Sequence, residues 1–118
     1  MSNDKYDESL PDLQAHFREY GYSRPTLFDH IDPAVTEEQA TTAAKKVKEM
    51  MQQTGLRHIV SVMVIGERHH VGVMTDEHLN QQDAPPEYVD GVYVSISRVN
   101  SLDHWLGPKT AAPAPKGP

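Results

Sequence analysis

The chain has no cysteine, one tryptophan and two phenylalanines in 118 residues. The missing thiol excludes disulfide staples, thiolate zinc centres and cysteine nucleophiles. Basic residues are scarce as well: 11 Lys and Arg against 17 Asp and Glu give a formal charge of −6. A phosphate-tracking surface needs a basic patch, and the one cluster, Lys45, Lys46 and Lys48, falls on a single expected helix. Direct nucleic-acid binding is therefore disfavoured. The longest mainly apolar run, 59–65, is far too short to span a bilayer, so no membrane contact is expected. The opening MSNDKYDESL is acidic and polar, unlike a secretory signal. With no thiol to oxidise, a cytoplasmic setting fits. Also missing are a glycine-rich phosphate loop, a helical zinc-binding pair, a nucleophile elbow and a dinucleotide fingerprint. No catalytic residue and no cofactor is assigned on that basis.

What is present is a strong β-hairpin. HIVSVMVI and RHHVGVMT, over 58–75, flank the dipeptide Gly66-Glu67, a two-residue turn with Gly first, as a type II′ loop prefers. With Ile65 opposite Arg68, pairing runs Val64 with His69, Val62 with Val71 and Val60 with Val73. One face is then almost solid valine. The other carries Ile59, Ser61, Met63, Ile65, Arg68, His70, Gly72 and Met74.

Around the hairpin, the spacing predicts a helix over 33–54 with the stripe Ala40, Ala43, Ala44, Val47, Met50, Met51 and Thr54. Asp32 with Pro33, or Thr36 with Gln39, can start it, and Gly55 ends it. Leu10, Leu13, Phe17 and Tyr20 predict an N-terminal helix over 10–20. Alternation of Val92, Val94 and Ile96 predicts a third strand over 92–99. Asn100 can cap a short C-terminal helix whose Leu102, Trp105 and Leu106 form a hydrophobic latch. Residues 1–9 read as flexible and the Pro/Ala/Lys-rich tail 107–118 as disordered, leaving 10–106 as a single domain. A chain of this length buries roughly two thirds of its unfolded surface, enough for one core. The class is α+β: a small antiparallel sheet with the long helix on its valine face.

The N-terminal helix (Leu13, Phe17, Tyr20) and the Trp105 latch can cover part of the mixed face within the chain, and two uses compete for what remains. Ile59, Met63, Ile65 and Met74 make it apolar enough to meet another protein or a second copy of the chain. Ser61, Arg68, His70 and, from the third strand, Tyr93 offer polar groups that suit a small ligand or a minor enzymatic activity. Ser61 and His70 lack an orienting acid, however. A metal-dependent variant would use His70, Asp76, Glu77 and His78, if the acidic loop folds back. The first reading is preferred: a non-enzymatic, self-associating accessory or inhibitor-type module that binds protein.

Overall fold

The structure is a computed structural model describing residues 19–108. Residues 10–18 of the expected N-terminal helix, the start over 1–9 and residues 109–118 of the tail lie outside the described residues. The α+β class holds. Helix α1 (Glu37–Thr54) packs on a four-stranded sheet formed by β1 (Ile59–Ile65), β2 (Arg68–Thr75), β3 (Tyr88–Val89) and β4 (Val92–Arg98). A single turn of helix, α2 (Asp103–Leu106), follows. Among the described residues no helix is long and apolar enough to cross a membrane.

Of the two competing starts, Thr36 begins α1. Its Oγ1 accepts from Gln39 N at 3.1 Å while Gln39 Oε1 accepts from Thr36 N at 3.2 Å, a reciprocal capping box. The helix is thus shorter than 33–54. Asp32 instead turns the chain just ahead of it, accepting from Ala34 N at 2.8 Å. Ala40, Ala43, Val47 and Met51 are buried against Val71, Val73, Val92, Val94 and Ile96. Small alanines on the helix let its backbone approach the branched valines closely.

The hairpin register is as expected, from Ile65 opposite Arg68 to Ile59 opposite Met74. The turn type differs. Gly66 at φ 54 and Glu67 at φ 69 both sit in the left-handed region, which is a type I′ turn, not II′. Its twist matches that of the flanking strands, which offsets the strain of placing Glu67 there.

The sheet is mixed, where an antiparallel one was expected. β4 lies parallel to β2, with Val71 beside Val94 and Val73 beside Ile96. A parallel neighbour requires a crossover of about a dozen residues, and the polar stretch 76–87 supplies it, anchored in the core by fully buried Leu79. β3 is a further strand that pairs antiparallel with β4 through the Asp90-Gly91 turn. The order is β1-β2-β4-β3, so β4 is central and is buried from Val92 to Ile96. Beyond β3 the same edge of β4 is taken by Arg24, which exchanges two backbone hydrogen bonds of 2.9 and 2.8 Å with Ile96.

The latch is smaller than expected. Leu102 is fully buried, but Trp105 is 60% exposed and Leu106 is also exposed. Asn100 does not cap α2; Leu102 holds that position, and Ser101 Oγ accepts from Asp103 N at 3.0 Å. The single turn itself buries no residue, and only its N-cap position, Leu102, reaches the interior.

Two glycines separate strain from space. Gly91 has φ +80 and open surroundings, so Gly91→Ala is expected to cost only backbone strain, about 1–2 kcal/mol. At Gly21, φ is +98 and an added Cβ would lie 2.6 Å from Leu79 N. Gly21→Ala is therefore expected to be clearly the more destabilising in thermal melts followed by circular dichroism.

Candidate functional site

The parallel pairing places Tyr93 and Ser95 on the same face as His70 and Gly72. That face is not an open floor. Residues 24–31 cross it from the β4 edge to the hairpin turn. Tyr93 Oη donates to Pro25 O at 2.7 Å, and Arg68 Nη1 donates to Phe28 O at 3.2 Å and Ile31 O at 3.0 Å. The Arg68 guanidinium also lies 3.9 Å from the centre of the Phe28 ring. Burial pushes the Tyr93 phenol up from its usual 10.0, so it stays a donor. The Tyr93 ring meets the His30 and Tyr88 rings edge-on at 5.5 and 5.6 Å.

His70 is fully buried beneath this cover, and neither ring nitrogen has a hydrogen-bond partner among the described residues. Burial lowers its pKa from 6.5, because the charged imidazolium would lose its hydration without compensation. Ser61 Oγ donates weakly to Met63 Sδ at 3.5 Å and not to His70. Met63 folds over Gly72, where an added Cβ would fall 2.8 Å from its Cγ. The serine, histidine and arginine of the mixed face are thus brought onto one side of the sheet, but not into one cleft. A shallow groove of about 320 Å³ lies elsewhere, between Met50, Thr54 and Pro85-Pro86, and holds none of these residues.

The metal candidates separate too. His70 sits in mid-sheet, while Asp76 and Glu77 lie past the far end of β2, facing Arg57. Among the described residues, no group of three or more His, Asp or Glu side chains is placed to hold an ion. Asp76 is buried and accepts from Arg57 Nε at 3.2 Å and from Leu102 N at 2.9 Å. Glu77 accepts from Arg57 N at 2.8 Å. Arg57 then reaches Asp103 at 2.8 Å and Gly107 O at 3.0 Å, so one side chain ties the start of β1, the end of β2 and α2 together.

What stays open is the edge. Met63, Val64 and Ile65 are 43%, 58% and 39% exposed, and Leu27 and Phe28 continue the apolar patch beside the turn. Ile59 and Met74 are half-buried. β1 is the outermost strand, and among the described residues nothing pairs with its outer side. The two-residue turn makes Ile65–Arg68 a hydrogen-bonded pair. Alternation then aims the peptide groups of Ile59, Ser61, Met63 and Ile65 at β2, and those of Val60, Val62 and Val64 outward. No family model matches the chain, and no curated protein or solved structure does either.

Two arginines matter more than their sequence context showed. Arg57 is one. Arg24 is the other: its guanidinium donates to Pro85 O, Pro86 O and Val94 O at 2.9, 3.1 and 3.0 Å. Each is isolated in sequence from its partners, and most of those partners are backbone carbonyls. The available signal was negative, a lone arginine outside the charged helix face.

Two outcomes follow. Arg57→Met takes the Arg57 guanidinium from the buried Asp76 carboxylate, and is expected to cost up to about 3 kcal/mol in denaturant unfolding, less in an Arg57→Met/Asp76→Asn pair. For His70, the unfolded chain takes up a proton below pH 6.5 and the folded chain resists it. Stability from this residue is therefore full above pH 6.5 and falls as the pH drops towards the lowered folded value, by at most about 1.4 kcal/mol per pH unit. His70→Leu is expected to raise the melting temperature and to flatten that acid limb.

Proposed function

We propose that the chain is a non-catalytic protein-binding module, an accessory or inhibitory protein, whose working surface is the outer edge of β1. The observation that carries this reading is the composition of that edge. Over seven residues, Ile59–Ile65 contains no charge, no proline and no bulge, and its register with β2 is unbroken. Unpaired strand edges are templates for another chain, and folded proteins usually blunt them with lysine, proline or a bulge. Within β1 none of those devices is present, and three exposed apolar side chains stand beside amides that nothing among the described residues pairs.

Strand addition supplies both halves of recognition. The outward peptide groups of Val60, Val62 and Val64 give affinity through main-chain hydrogen bonds. Side chains on the two faces give selectivity. Met63, unbranched and polarizable, adapts to different neighbours, and Leu27 and Phe28 widen the contact at the turn. The acidic remainder, with its charge of −6, keeps the rest of the surface hydrated and directs association to the neutral edge.

Affinity capture with the tagged full chain tests this. Val64→Lys changes an exposed side chain and is expected to leave folding intact while lowering capture of the partner tenfold or more, about 1.4 kcal/mol. Equal capture by both proteins would remove the edge from the function. So would a metabolite or divalent ion that stabilises wild type and Val64→Lys alike by about 2–3 kcal/mol at a hundredfold excess over its dissociation constant.

A further inference from the structure

Resting on the edge reading, we infer that the occupant of this edge is a second copy of the same strand, paired antiparallel about a two-fold axis through Val62. The register argues for it. Antiparallel pairing centred on Val62 sets Val60 against the partner's Val64 and Val62 against the partner's Val62. Each of the three outward-facing residues therefore meets another outward-facing residue, as hydrogen-bonded pairs in an antiparallel ladder require. The residues between them match as well, Ser61 with the partner's Met63 and Ile59 with the partner's Ile65.

Charge argues the same way. A strand meeting its own copy risks opposing like charges, and β1 has none to oppose. Valine meets valine on the helix face, and Val64 gains the cover it lacks within one chain. The axis stands perpendicular to the sheet, so both copies of α1 lie on one face of a continuous sheet of twice the present four strands. Assembly stops there. The opposite edge is the two-residue β3, followed by Arg24 on Ile96, so it offers no comparable template for a third copy.

The contact is small. An edge alone buries less than the roughly 800 Å² per partner of a standard interface, so a weak dimer is expected, in rapid exchange with monomer. Because each copy carries −6, added salt should screen the repulsion between bodies and strengthen the dimer, the reverse of an ion-paired contact.

Light scattering on the full chain at about 0.5 mM, high enough to populate a weak dimer, tests the inference. The expected average mass for wild type rises with concentration from 13.2 kDa towards twice that value, and stays at the monomer for Val64→Lys and for Val62→Pro. The proline removes an outward-facing amide, which an edge strand tolerates, but also the half-buried Val62 side chain, so its far-UV circular dichroism must stay native for the loss of dimer to count. Register is read separately, in a chain with no cysteine of its own. Mixing Ser61→Cys with Met63→Cys chains should give a disulfide between the two variants on mild oxidation. Either variant alone should cross-link poorly, since like positions are two residues out of step, about 7 Å along the strand. A monomeric wild type, a dimer untouched by Val64→Lys, or cross-linking without preference for the mixed pair would each overturn the inference. A monomeric wild type whose captured protein is lost with Val64→Lys would refute the second copy and leave the edge reading standing. A monomer whose capture ignores Val64→Lys would end both.

Discussion

Parity at one turn governs this molecule. A two-residue connection at Gly66-Glu67 makes Ile65 and Arg68 partners, and every other pair of the hairpin follows from that one. Because side chains alternate strictly, the turn decides that valines face α1 and that His70, Gly72 and Met63 face away. It also decides which amides of β1 serve β2 and which point into solvent. One inserted residue in the turn would reverse both assignments together. The core and the candidate contact surface are therefore two results of a single local geometry.

Away from the turn, the fold is held by side chains that end strands and loops rather than fill space. Arg24 gathers carbonyls from Pro85, Pro86 and Val94 and so closes the far edge of β4. Arg57 neutralises Asp76 and reaches α2. Both guanidiniums spend their fixed fork of donors on groups that would otherwise be left short of partners. His70 is different, a buried ring with no hydrogen-bond partner among the described residues. The cover over it, residues 24–31, occupies the face where a small ligand would have to sit.

How much of this was legible depended on range. The hairpin register could be read, and the Thr36–Gln39 cap stood as one of two possible starts, because each is set by residues within a few positions of one another. β3 escaped because two residues carry no alternation, although Asp90-Gly91 is a strong turn signal. The parallel placement of β4 escaped because a polar loop with Pro85-Pro86 reads the same whether the chain returns beside β2 or turns away. Of the candidate face, the strand positions were correct in phase. Which of them would be covered depended on residues 24–31, a stretch with no periodicity. Trp105 was misjudged for a related reason: a single helical turn cannot show which of its apolar residues faces inward.

The parallel pairing of β2 with β4 has a kinetic consequence. The hairpin and α1 are contiguous in sequence and need only short loop closures, so they can form early. β4 must wait for the 76–87 stretch to return the chain to the start of β2, and until then β2 also has a bare apolar edge. The growing molecule therefore passes through a stage with two unpaired strands, one on each side of the hairpin. Among the described residues, only the β2 edge is closed by a further strand.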